Sequence, residues 1–260
     1  LIDNAVDYDD IGHLKSEVDL FILCTPIEFI FDLIDKLATS EHPWKQNSIV
    51  TDVGSTKLEI VTFGQDQLGA DRFVGGHPMA GSEKSGIEAR DSTLFESALW
   101  LLCPSKEQLL PHDSLLVKLI ENLGSRIHFM DAEIHDQWLA QVSHLPQILS
   151  TTLSVQTYDS LQDAISVAGP GYRDMTRLSL SQFPMWDSIF KTNKSMIIQS
   201  IQSYQHKLEN VKASIQNENW SDIESIFEQS FEGRQQLNIP NKGWAQNLIE
   251  IIVQVQDQKG

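Results

Sequence analysis

Short apolar strand patterns alternate with helical ones up to about residue 130, and beyond it helical patterns stand alone. That switch predicts an α/β unit, with an open and at least partly parallel sheet, followed by an all-α half. Residues 18–24 form a short apolar run closed by Thr25-Pro26 and read as a buried strand. Ile27, Ile30, Phe31, Ile34 and Leu37 then recur at helical spacing, and Pro26 suits a helix start. Residues 48–53 predict a second strand, broken at Gly54-Ser55, with a helix from Thr56. Residues 73–76 predict a third strand, 99–103 a fourth, 109–123 a helix and 126–130 a fifth strand. Asp131 is placed to cap a long helix through Trp138, Val142 and Leu145 toward Leu153. Further helical patterns cover 161–168, 184–216 and 219–236, and 248–255 reads as a lone strand near the chain end.

Composition narrows the function. Of 260 residues 41% are hydrophobic, enough for a core, and the length suits one large domain or two ordinary ones. The chain has 19 Lys+Arg against 36 Asp+Glu, a net charge of −17, which opposes nucleic acid or an anionic membrane as a partner. No apolar run approaches the roughly 20 residues of a membrane helix. The two cysteines, Cys24 and Cys103, form no C-x-x-C pair, which fits a reducing cytoplasm and argues against a thiolate metal site.

Six of the 14 glycines fall between Gly64 and Gly86, where an ordinary loop and a close approach of backbone are both compatible with the pattern. Gly76 to Gly81 has P-loop spacing, but Ser82-Glu83 replaces the required Lys-Ser/Thr. G-x-S-x-G and H-E-x-x-H are absent, and no metal site is expected. Ligands of open α/β sheets bind beyond the carboxyl ends of the strands. That rule selects Cys24-Thr25-Pro26, Asp52-Val53-Gly54-Ser55 and His77. Position alone leaves His77 equally a hydrogen-bonded structural residue or a proton acceptor. His144, in Ser143-His144-Leu145-Pro146, reads first as a core histidine, with Pro146 marking a kink. Arg173 beside Asp174 reads as a surface ion pair, whereas Arg177 suits two-point recognition of a carboxylate. Between residues 160 and 200 the charge is one net positive, which permits an anion site. Trp186 reads as a core or interface aromatic.

These segments together resemble one family. Residues 51–57 (Thr-Asp-Val-Gly-Ser-Thr-Lys), 75–86 around His77-Pro78, 143–146 and 172–177 (Tyr-Arg-Asp-Met-Thr-Arg), in order over about 1–240, are similar to prephenate/arogenate dehydrogenases. The resemblance implies a Rossmann-like dinucleotide-binding domain over 1–130, lacking its N-terminal unit. It implies a helical substrate and dimerisation domain over 131–240, and a linker with the first strand of an ACT regulatory domain over 241–260. The implied reaction is oxidative decarboxylation of prephenate to 4-hydroxyphenylpyruvate, with hydride passing to NAD⁺. His77 would deprotonate the ring hydroxyl, and Ser55 would orient His77 near the nicotinamide. Arg177 would hold a substrate carboxylate, His144 would lie in the pocket, and Ser82 and Glu83 would stand near its entrance. Trp186 would approach the pocket, in a homodimer. Cys24, Thr25, Pro26, Asp52, Gly54 and Ser55 would line the cofactor.

The family's G-x-G-x-x-G turn and the strand end that selects NAD or NADP are not in the sequence, so NADP stays open beside NAD. The ACT-like tail favours prephenate and NAD and suggests feedback by tyrosine. Arogenate is the alternative substrate. A non-catalytic binder of the same fold is another reading. Related dehydrogenases with a lysine on the interdomain helix are disfavoured, because residues 131–157 hold none.

Overall fold

A computed structural model describes residues 5–81, 91–105, 110–111, 114–160 and 162–236. The 248–255 strand, the 241–260 segment, Ser82 and Glu83 lie outside the described residues. Five strands form one sheet in chain order: β1 (Leu20–Leu23), β2 (Ile49–Asp52), β3 (Phe73–Pro78), β4 (Leu99–Cys103) and β5 (Arg126–Phe129). β1, β2 and β3 are parallel, β3 and β4 antiparallel, and β4 and β5 parallel. The carboxyl ends of β1, β2 and β3 therefore share one rim.

Each crossover helix buries the stripe its spacing predicts. In α1 (Ile27–Thr39), Ile30, Ile34 and Leu37 are fully buried. Burial of each stabilises the fold by about 1.5–3 kcal/mol relative to exposure. α2 (Leu58–Leu68) packs beside it, with Phe31 and Phe63 meeting edge to face at 5.4 Å. These helices cover one face of the sheet. The other face packs Val74, Trp100 and Leu102 against Leu116 and Ile120 of α3 (Leu115–Asn122), which Ser114 caps. β1 is at the sheet edge, so its expected burial is incomplete: Ile22 is 37% exposed.

Asp131 caps α4 (Ala132–Leu139), its carboxylate accepting from Glu133 N at 2.8 Å and Ile134 N at 3.3 Å. The helix continues as a π turn (Ala140–His144) and then α5 (Leu145–Ser160). Within that turn Leu145 N donates to Ala140 O, five residues back. A regular helix would drive the Pro146 ring into the carbonyl four residues earlier, and the wider turn relieves that crowding. The kink expected at Pro146 is thus a π turn placed just before it.

A 3₁₀ segment (Gln162–Val167), α6 (Pro170–Thr176) and a 3₁₀ turn (Arg177–Leu180) follow. The single pattern at 184–216 is two helices, α7 (Phe183–Thr192) and α8 (Lys194–Gln216), broken at Asn193. α9 (Trp220–Gln236) packs on α8. Ala140, Ile189 and Ile197 join the core under α1 and α2, so the helical half is seated on the sheet unit. Among the described residues no helix is long and apolar enough to cross a membrane.

Candidate active site

The rim is built first by an aspartate. Asp52, the last residue of β2, accepts from Gly54 N at 2.8 Å and Gly76 N at 3.0 Å, and Lys57 Nζ pairs with the same carboxylate. Asp52 and Lys57 are both fully buried. Removing one member of such a pair costs about 3–5 kcal/mol. Asp52 was expected at the cofactor. Its carboxylate is engaged by the protein instead, tying β2, β3 and the start of α2 together.

The glycines of β3 allow that closeness. A Cβ on Gly75 would stand 2.4 Å from Val61 Cγ2, and one on Gly76 would stand 2.4 Å from Asp52 O. β3 also runs two residues further than its pattern suggests, because Gly76, His77 and Pro78 pair with Leu102, Leu101 and Trp100 of β4. His77 is therefore inside the strand, not beyond its end. By strand alternation it shares a face with Phe73 and Gly75, the face on which α2 lies.

His77 meets the helical half there. Its Nδ1 lies 2.9 Å from His135 Nε2, and His135 Nδ1 lies 2.8 Å from Asp136 Oδ1. Asp136 also accepts Lys57 N at 2.7 Å and Leu58 N at 2.9 Å, so it caps α2 from another helix. Asn193, at the α7–α8 break, donates to Asp136 O at 2.9 Å and faces His144 Nδ1 at 3.2 Å. Only the amide NH₂ can serve the Asp136 carbonyl, so it is also the donor to His144. That leaves the His144 proton on Nε2. The His144 ring meets Trp186 edge to face at 5.9 Å.

Burial, then the neighbouring charges of His135, Lys57 and His144, hold His77 well below its ordinary range. Burial lowers His135 against the opposing pull of Asp136, and it lowers His144 to about 4. All three are neutral at pH 7. A neutral imidazole is what a proton acceptor requires.

The remaining expected residues sit as follows. Cys24 and Pro26 are exposed, and Gly54 is buried. The Thr25 hydroxyl is buried without a partner among the described residues, on the rim where a dinucleotide would lie. That orphaned group fits a bound cofactor. Ser55 is half-buried in the bend before α2 and makes no hydrogen bond with a described residue. The orienting contact to His77, expected from Ser55, comes from His135, because α4 docks beside α2 at the end of β3. Arg177 is exposed, opens its 3₁₀ turn and forms no ion pair with a described residue. That turn is fastened by Gln147, one helical turn past His144, which donates to Leu178 O at 2.8 Å. Arg173 and Asp174 are exposed and do not pair, since adjacent helical residues point apart. Trp186 is half-buried.

Four site residues escaped the sequence reading: Lys57, His135, Asp136 and Asn193. A signal existed for two of them. His135 and Asp136 share the buried stripe of α4 with Leu139 and Ala140, and polar residues on such a stripe need partners. A cavity of about 740 Å³ lies at the opposite, amino ends of the strands, lined by Asp19, Ser48, Asp71 and Arg72. It shares no residue with the histidine cluster.

Known proteins can be set beside this geometry. A family model described as prephenate dehydrogenase, nucleotide-binding domain, matches residues 1–129, and one described as prephenate dehydrogenase, dimerization domain, matches 131–229. The chain is 34% identical to a prephenate dehydrogenase of Lactococcus lactis over 250 residues, covering 94% of this chain and 68% of that protein. It is 32% identical to a Bacillus subtilis prephenate dehydrogenase over 255 residues, covering 94% and 67%. Among solved structures, A. aeolicus prephenate dehydrogenase in complex with hydroxyphenyl propionate and NAD⁺ superposes with a TM-score of 0.79 at 27% identity. That match covers 90% of this chain and 81% of that one. Synechocystis arogenate dehydrogenase gives 0.76 at 28%, covering 87% and 81%.

Proposed function

This chain belongs to the prephenate dehydrogenase family, and we propose accordingly that it converts prephenate to 4-hydroxyphenylpyruvate and CO₂ with NAD⁺ as oxidant. The observation that carries the catalytic assignment is His77: buried on the cofactor rim, neutral, and with Nε2 bonded to no described residue. NAD⁺ held on that rim would supply the acceptor for the hydride leaving the carbon that bears the hydroxyl.

His77 Nε2 accepts the hydroxyl proton as the carbonyl forms. The ring carboxylate then leaves as CO₂, its bonding electrons moving through the ring to oxygen, and His77 returns the proton to the phenolate. Aromatisation drives the bond cleavage, so the protein's task is positioning and charge placement more than basicity. Arg177, exposed and without an ion-pair partner among the described residues, holds a substrate carboxylate with its fork. His144 offers an Nε2–H donor and Trp186 an apolar wall. Thr25, Pro26, Gly54 and Ser55 face the dinucleotide, with the orphaned Thr25 hydroxyl the side-chain contact. Arogenate is the second reading, favoured by the likeness to the Synechocystis enzyme. The enzyme works in the cytoplasm as a homodimer joined through its helical half.

His77→Asn tests the assignment. The expected result is a kcat lower by roughly 10²–10⁴, the usual share of general-base catalysis, with an unchanged thermal melt. A near-normal kcat in that variant would remove His77 from the reaction.

A further inference from the structure

The hydrogen-bond chain behind His77 has a direction, and it starts at a group whose role is fixed. Asp136 stands here as an acceptor, so the 2.8 Å contact between its Oδ1 and His135 requires the proton on His135 Nδ1. Both Asp136 oxygens already act as acceptors, taking Lys57 N and Leu58 N at 2.7 and 2.9 Å, so the carboxylate is the acceptor toward His135 as well. Neutral His135 then presents a bare Nε2. The 2.9 Å contact to His77 Nδ1 can form only if His77 carries its proton on Nδ1. His77 Nε2 is left with the lone pair.

We infer that His135 and Asp136 are positioning residues that lock His77 in the tautomer whose Nε2 lone pair receives the substrate hydroxyl proton. This rests on the reaction proposed above and assigns the orienting task to residues outside the rim motifs. An isolated imidazole populates both tautomers, and one with its proton on Nε2 could not act as the base. Once His77 is protonated, its Nδ1–H still donates to His135, and the Asp136 carboxylate behind it faces the new positive charge. The logic is that of a nucleophile's histidine held by a third group, here with a second imidazole interposed. Lys57 and Asp52 lie on the α2 and β2 sides of the cluster and His144 on the helical side. Lys57 and His144 lower how readily His77 accepts a proton and Asp52 acts on His135, while the tautomer is set by His135 as Asp136 orients it.

The test uses ¹⁵N spectra of the histidine side chains in the intact protein at neutral pH, beside steady-state kinetics. Wild-type His77 is expected to show a protonated Nδ1 and an unprotonated Nε2. His135→Leu removes the acceptor and leaves Asp136 to cap α2. It should mix the His77 tautomers and lower kcat by on the order of 10²-fold with little change in KM. His135→Gln can both donate to Asp136 and accept from His77, and it should recover most of the lost rate and the wild-type spectrum. Asp136→Asn should mix the tautomers as well. A wild-type His77 protonated on Nε2, or a Leu variant with unchanged kcat and spectrum, overturns the inference. The spectra need no turnover. An ordered His77 in a protein that does not oxidise prephenate would therefore sink the proposed reaction and leave the tautomer assignment standing.

Discussion

Lys57 and Arg177 are cations with opposite fates. Lys57 is sealed under the rim on Asp52, where it organises backbone, and Arg177 stands exposed on a turn with no ion-pair partner among the described residues. The difference decides which of them is available to an anion. Arg177→Ala should raise KM for prephenate and leave kcat within a few-fold, since the contact is made in ground and transition states alike. Losing a charged hydrogen bond of about 1.5–3 kcal/mol predicts an increase of roughly 10- to 150-fold. An unchanged KM in steady-state assays would show that another group anchors the carboxylate. The sequence offers Arg177 as a candidate because it follows a helix-breaking Gly-Pro-Gly in a locally positive stretch. It does not offer Lys57, because a lysine reads as a surface residue until the fold shows what encloses it.

The helical run α4–π turn–α5 carries His135 and His144 and joins the two halves of the chain. Its start was legible from Asp131, a capping residue ahead of an apolar stripe, and the structure draws both cap bonds. The π turn was not legible, since periodicity reports a helix and not the number of residues in one of its turns. This run makes the fold acid-sensitive. Histidine titrates near 6.5 when unfolded, and burial lowers folded His144 to about 4. Between those values the unfolded chain binds more protons. The stability from keeping His144 neutral is therefore complete above about pH 6.5 and is lost as pH falls toward 4. For His144 this amounts to about 3 kcal/mol, and His77 and His135 shift in the same direction. Thermal melts should show a lower Tm at about pH 5 than at about pH 7.5. A Tm independent of pH over that interval would mean that these imidazoles protonate in the folded state without penalty.

Taken together, the described residues leave much apolar surface on the helical half. Val142, Val167, Leu180, Phe183, Phe227 and Phe231 are exposed, with Leu180 at 82%, and α9 buries none of its residues. A lone chain gains little by displaying such residues at these positions, and they suit the homodimer proposed above. Sedimentation at micromolar concentration should give twice the chain mass, and Phe227→Glu with Phe231→Glu should shift it toward monomer. A chain that sediments as a monomer without substitution would end that proposal. The net charge of −17 repels a dianionic substrate at long range, so capture depends on local groups such as Arg177.

Sequence alone determined the alternation of strands and helices, the switch near residue 130 and the glycine frame, and it offered His77 as a candidate. Each is written in local spacing: period two against 3.6, a breaker after a strand, a histidine where a strand meets the rim. The tertiary structure decided what His77 touches. His135 is 58 residues away along the chain, and its contact exists only because α4 docks beside α2 and lends Asp136 to the first turn of that helix. No local pattern encodes a hydrogen bond across that separation. It follows from how the two halves bury their apolar faces against each other, and the direction of the proton chain follows from it in turn.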